Sequence, residues 1–165
     1  MAASNEIGIA DDPHHLNRFV QAQADVYKQA LLEIKSGLKQ THWMWYIFPQ
    51  VDGLGFSSTS KFYSIKNIGE AQAYLSHPIL GPRLLECAEA ALRVEARSAY
   101  DIFGSPDEQK LQSCATLFAS VSPADSVFHR LLEKYFQGRR DNKTLQLLGL
   151  DPQTGDAPGP RERGG

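Results

Sequence analysis

The chain has 165 residues, a length that suits one domain built on a single core. A hydrophobic share of 42% beside 22% charged residues excludes wholesale disorder, and a net charge of −2 supplies no basic excess to draw nucleic acid. No apolar run approaches the roughly 20 residues that cross a bilayer, and the opening Met1-Ala2-Ala3-Ser4-Asn5-Glu6 lacks the basic-then-apolar pattern of a secretory signal, so the expectation is a cytoplasmic protein without a membrane partner.

Residues 1–11 read as a flexible lead. Asp12-Pro13 then offers an N-cap and an N1 proline, and Leu16, Phe19, Val20, Gln23, Val26, Tyr27, Ala30, Leu31 and Ile34 recur with helical period until Gly37 stops the helix. Gln23 is the odd member, an amide on the buried stripe that must find hydrogen-bond partners. The run Trp43 to Phe48 is apolar on both faces, and its length fits either a buried extended segment or a single helical turn. Pro49 and the pair Gly53 and Gly55 predict irregular backbone to about Ser60.

Asn67 with Glu70 resembles a capping box that opens a short helix through Leu75, ended by Pro78. Leu80, Leu84, Leu85, Ala88, Ala91 and Leu92 predict one apolar face of a longer helix. Ser105-Pro106-Asp107-Glu108 combines an N-cap serine, an N1 proline and a glutamate at N3, with Leu111, Cys114, Ala115 and Phe118 facing the core. Ser122-Pro123 repeats that start ahead of Val127, Phe128, Leu131, Leu132, Tyr135 and Phe136, with Gly138 as the stop. A last short helix runs from Asp141 or Asn142 to Gly149, and residues 151–165 have no apolar period and predict a disordered tail. The expected fold is therefore mainly α: a single compact domain over residues 12–150, of about six helices with an irregular or short extended aromatic segment.

Both tryptophans fall in the segment Thr41 to Tyr63, where an aromatic run meets a glycine turn and a cluster of hydroxyls. Apolar surface with a few orienting polar groups is the makeup of a ligand pocket. The candidate ligand-binding residues are Gln23, Lys39, His42, Trp45, Gln50, Gly53, Gly55, Ser57, Ser60 and Tyr63. Trp43 and Trp45 share a face if the segment is extended and diverge if it is helical, so one packs the core and the other is free to stack on a planar ligand. The amide of Gln23 either caps a loop carbonyl or reads a base or carboxamide edge. Gly53, Gly55, Ser57 and Ser60 either form a plain turn or present N–H and hydroxyl groups to an anion.

His42 and Asp101 are the candidate catalytic residues. His42 follows the cation Lys39, which lowers an imidazole pKa, and Asp101 lies between Tyr100 and Ile102, where desolvation raises a carboxyl pKa. The bland alternatives are a structural histidine and a capping aspartate. Cys87 and Cys114 fall on apolar helix faces and read as small hydrophobes, with no cysteine or histidine spacing that holds zinc. The basic end at Arg130, Lys134, Arg139, Arg140 and Lys143 is diluted by Glu133 and Asp141 and reads as a solvated face.

Phe19-x-Gln21-Ala22-Gln23, Gly37-x-Lys39, His42-Trp43-Met44-Trp45-x-x-Phe48-Pro49-Gln50 and Gly53-Leu54-Gly55-x-Ser57 resemble the domain of unknown function 1810. Tyr74-Leu75-x-His77-Pro78-x-Leu80-Gly81-x-Arg83-Leu84, Asp101-Ile102-Phe103-Gly104, Asp107-x-x-Lys110-Leu111-x-Ser113 and Thr144-Leu145-x-Leu147-Leu148-Gly149 extend the resemblance, which covers about Asp12 to Leu150. It implies a single, mainly helical domain and no established activity. The name calpastatin sometimes attached to such sequences denotes a disordered inhibitor, which well-capped helices contradict. Gln21-Ala22-Gln23 is also similar to a triplet of the YbiA-like N-glycosidases, although Asn17 stands where those enzymes place a glutamate.

The functional expectation is a small polar or nucleotide-like ligand held between the aromatic segment and the first helix, with N-glycosidic or ADP-ribose chemistry as the catalytic version. The alternative is an interaction module that docks a protein partner or a second copy through its aromatic residues, without catalysis. Whether the chain is an enzyme is left open, and no cofactor or metal is expected.

Overall fold

The structure, a computed structural model, describes residues 12–151; the expected flexible lead, and the expected tail after Asp151, lie outside the described residues. Among the described residues there are ten helices: α1 (Asn17–Gln23), α2 (Tyr27–Ser36), α3 (Met44–Ile47), α4 (Ser58–Phe62), α5 (Ile68–Ser76), α6 (Leu80–Arg93), α7 (Ala99–Phe103), α8 (Asp107–Ala119), α9 (Val127–Phe136) and α10 (Asn142–Leu148). The mainly α class is as expected, with more and shorter helices than the apolar period suggested. Among the described residues one isolated bridge, parallel, joins Val51 and Ile65.

The first helix is broken. The ladder gives way to Ala24 N–H to Gln21 O and Val26 N–H to Gln23 O, and Val26 sits at φ −122°. No proline or glycine marks the break, and the two halves take different partners: α1 packs on α3, whereas α2 packs on α6. Pro13 is not the first helical residue either. The Asp12 carboxylate accepts from Leu16 N–H at 2.7 Å and Asn17 N–H at 3.0 Å, holding the turn that precedes α1.

Several helix starts also differ from the expected caps. Pro106 itself takes the N-cap position of α8, so Ser105 makes no cap bond there. Ser126 caps α9 four residues beyond Ser122, its hydroxyl accepting from His129 N–H. At α5 half of the expected box forms: Asn67 Oδ1 accepts from Glu70 N–H, while the Glu70 carboxylate reaches Lys66 N–H. Gly37 stops α2 as expected, at φ 81°.

Helices α6 and α8 organise the core. The former carries α2, α5 and α9, and the latter carries α7, α9 and α10. Leu80, Leu84, Cys87, Ala88 and Ala91 face inward from α6 as its period requires, although Leu85 is 43% exposed. Aromatic rings link the layers: Tyr74 lies 5.1 Å from Phe19 and 5.4 Å from Phe118, and Phe118 lies 5.6 Å from Phe128. All are fully buried, and each contributes roughly 1.5–3 kcal/mol by leaving water. No described helix is long and apolar enough to cross a membrane.

Candidate functional site

The aromatic segment is placed by a carboxylate that the sequence did not advertise. Glu33 is buried on α2, and after the turn at Gly37 the chain doubles back across it. Its Oε1 accepts from Gln40 N–H, Thr41 N–H and Trp43 Nε1–H, and its Oε2 accepts from Thr41 Oγ1 and Gln29 Nε2. Burial pushes the Glu33 carboxyl up, but these donors outweigh it and bring its pKa down to about 2.

Trp43 is thereby pinned at the head of α3, a single helical turn, and is 1% exposed. Successive residues on a helix point about 100° apart, so Trp45 diverges from Trp43 and stays partly exposed. The open choice between extended and helical backbone thus falls to the helical turn.

Beyond Pro49 the chain makes a closed excursion. Ile65 N–H donates to Gln50 O and Asp52 N–H to Ile65 O, both at 2.8 Å, so residues 52–64 leave and return at one neck. Inside it, Gly53 adopts φ +106° against the Leu147 side chain. Gly55 runs so close to α4 that a Cβ would lie 2.6 Å from Ser60 Oγ. Ser57 caps α4 by accepting from Ser60 N–H. On the far side Arg18 uses all its N–H groups at once, on the carbonyls of His14, His15, Phe62 and Ser64 and on Glu70 Oε2 at 2.7 Å.

Between this excursion and α8 lies a cleft of about 470 Å³. Trp45, Gln50, Leu54 and Gly55 form one wall; Pro106, Gln109, Lys110, Gln112 and Ser113 form the other, with Asp141 at the rim. A second hollow of about 10 Å³ adjoins it behind Trp45 and Gln50, lined by Asp52, Gly53, Ser60 and Tyr63, which is room for about one water. The cleft therefore opens onto α8, and the expected partner wall, the first helix, packs directly on α3 instead.

Of the expected ligand-binding residues, Trp45, Gln50 and Gly55 line both cavities, and Gly53, Ser60 and Tyr63 line the smaller. Gln23, Lys39, His42 and Ser57 line neither. Gln23 is buried and fully engaged: its Nε2 donates to Tyr46 O and Tyr74 Oη, and its Oε1 accepts from Arg83. That is the loop-capping role, at Tyr46 rather than at the glycine turn. Lys39 pairs with Asp107 at 2.9 Å and lies over the Trp43 ring. The His42 side chain is exposed, and its carbonyl accepts from Tyr46 Oη. Asp101 is exposed and closes a capping box with Ser98 at the start of α7, so the apolar setting read from its neighbours is not one its carboxylate occupies.

The residues of α8 carried a helix start and part of the family resemblance, and none of them was expected in the ligand site. Their signal was weak: glutamines and a serine on an amphipathic helix read as a solvated face until another segment is laid against them. Asp107 sits between two cations, its Oδ2 on Lys39 Nζ at 2.9 Å and its Oδ1 on Lys110 Nζ at 3.1 Å. Lys110 Nζ in turn lies 3.7 Å from the centroid of the Trp45 ring, a favourable cation–π distance. Among the described residues the side-chain amides of Gln50 and Gln109 have no hydrogen-bond partner, which leaves two donors and an acceptor on each for a bound molecule. No described group of His, Cys, Asp or Glu side chains is assembled as a metal ion requires.

The model of a family described as a protein of unknown function (DUF1810) matches residues 13–148. Among solved structures, the conserved hypothetical protein Rv1873 from Mycobacterium tuberculosis is 48% identical, with a TM-score of 0.82 over 85% of this chain and 100% of the other. No curated protein matches the chain.

Proposed function

Because the chain belongs to the DUF1810 family, whose description assigns no activity, we propose a function from its cleft: it binds a small planar polar ligand against Trp45. The observation that carries this reading is the pairing of an accessible indole with unpartnered amides across a cleft of about 470 Å³, a size and chemistry that suit small-molecule sites. The indole supplies apolar contact surface beside the Lys110 ammonium that covers part of it, while Gln50 and Gln109 offer edges for a ligand's own donors and acceptors.

A catalytic version needs a carboxylate within reach of the bound molecule. Neither Asp25 nor Asp101 lines either cavity; Asp52 lines the small hollow, where its Oδ1 accepts from Ser64 Oγ, and Asp141 stands at the cleft's rim. N-glycosidic or ADP-ribose chemistry would fall to those two residues.

The interaction module is favoured by a different observation. Phe56, next to Gly55, is 86% exposed, and Phe62 is 50% exposed, as aromatic anchors for a protein partner or a second copy would be.

The deciding experiment is a thermal-shift screen against nucleotides, NAD, ADP-ribose and glycosides, with Trp45→Ala alongside. A ligand at 100 times its Kd adds about 2.7 kcal/mol of stability. A shift in the wild type that disappears in the folded variant supports the cleft. A flat screen, with dimerisation abolished by Phe56→Ser, moves the assignment to the interaction surface.

A further inference from the structure

We infer that the ligand of the Trp45 cleft is a planar anion, its ring against the part of the indole that Lys110 leaves open and its negatively charged oxygens on Lys110; the inference rests on the cleft being a ligand site. It starts from a charge count in a largely water-excluded place. Lys39, Asp107 and Lys110 form one chain of ion pairs, and their side chains are 8%, 16% and 18% exposed. Two ammonium groups share a single carboxylate, so the chain carries one positive charge beyond what Asp107 neutralises. A surplus charge with little access to water is compensated best by an anion brought to it.

Geometry decides which lysine receives that anion. Lys39 is turned to the buried Trp43 ring, 5.0 Å from its centroid, and does not line the cleft. Lys110 does line it, and its Nζ stands over the Trp45 ring. An ammonium has three N–H donors, and Asp107 Oδ1 takes one. An anionic group on the ligand that accepts another is held where the ammonium covers the indole, and the ligand's ring meets the part of Trp45 left open to the cleft. The opposing charge at the rim is Asp141, whose Oδ2 is committed to Thr144 N–H and Oγ1. The common chemistry is a flat aromatic or heteroaromatic ring bearing a carboxylate or a phosphate monoester.

The test uses matched pairs on the full chain: nicotinate against nicotinamide, and adenosine monophosphate against adenosine, followed by tryptophan fluorescence and calorimetry. Each anion is expected to bind at least about tenfold tighter than its neutral partner. That preference should vanish in Lys110→Gln, persist in Lys110→Arg and in the exposed control Lys61→Gln, and shrink as salt is added. Lys110→Arg keeps the test decisive should Lys110→Gln not fold. Neutral compounds that bind as well as their anions would overturn the anion class and leave the cleft reading standing. An anion preference that survives in folded Lys110→Gln would overturn the assignment to Lys110. If no compound of either pair perturbs Trp45, both the cleft reading and this inference fall.

Discussion

The indole Nε1–H of Trp43 donates to Glu33 Oε1 at 2.8 Å in a buried contact, so a carboxylate on α2 decides where the aromatic turn begins. Trp45 is placed between that bond at the start of α3 and the Gln23 amide, whose Nε2 donates to Tyr46 O on the same single turn.

Glu33→Gln is expected to cost at least about 2 kcal/mol, since an amide nitrogen would face groups that themselves donate. The pH dependence has a definite sign. The folded pKa of about 2 lies below the ordinary 4.5, so the carboxylate's stabilisation is complete above about 4.5 and is lost as pH falls from there through about 2. Urea titrations of both proteins from neutral to acid pH should show the gap between them narrowing only in that window.

The two tryptophans should separate cleanly by mutation. Trp43→Ala removes a buried ring and is expected to cost about 3–5 kcal/mol, whereas Trp45→Ala should cost less than about 2 kcal/mol and leave the far-ultraviolet circular dichroism unchanged. Acrylamide should quench the emission of the Trp43→Phe variant more strongly than that of Trp45→Phe. Equal quenching would mean that Trp45 is not the accessible ring.

Gly55→Ala should damage the cleft through Ser60. The new methyl would lie 2.6 Å from Ser60 Oγ, and moving that hydroxyl breaks its 2.9 Å bond to Ser57 O. A loss of about 1–3 kcal/mol is expected from the overpacking. The second change Ser60→Gly should return most of it in thermal denaturation, a coupling that an independent pair of sites would not show.

Arg18→Met leaves Glu70 buried without its cation and releases the carbonyls of Phe62 and Ser64. The expected cost is about 3–5 kcal/mol, accompanied by faster amide exchange through residues 58–65. Because the pair is 6% and 2% exposed, added salt should change this cost little.

Cys87 and Cys114 are buried free thiols. Burial pushes Cys87 up to about 12 and raises Cys114 well above its ordinary value, which leaves almost no thiolate at neutral pH. Neither should react with a disulfide reagent in the native state, and both should react at once in denaturant. A thiol that reacts rapidly without denaturant would contradict the packing of α6, for Cys87, or of α8, for Cys114.

The sequence was most legible where side-chain period alone decides structure. Leu80, Leu84, Ala88 and Ala91 on α6, and Val127, Phe128, Leu131 and Leu132 on α9, face the core as their spacing implies. It was least legible where a distant group overrides local preference. The break after Gln23 follows from α1 and α2 packing on different helices, and Glu33 looks like one more charged residue until Trp43 and Thr41 are seen to bond to it. Trp45, Gln50 and Gly55 could be marked from composition, because aromatic and glycine residues cluster there. Gln109, Lys110 and Ser113 could not, since only the fold sets α8 against a segment some 60 residues earlier.

The neck at Val51 and Ile65 carries a further meaning. At the neck the hold on residues 52–64 is backbone: the bridge joins amide to carbonyl, and Arg18 grips the carbonyls of Phe62 and Ser64 whatever their side chains, while inside the excursion Leu54 and Tyr63 anchor it by packing on the core. The excursion behaves as a cassette whose mounting does not depend on most of what it displays. Phe56 and Thr59, both exposed, are free to vary within the tolerance of a surface loop without disturbing the helices beneath. Changes at these positions alter the surface that the excursion presents, while Glu33, Arg18 and Glu70 keep the frame in which the cleft is set.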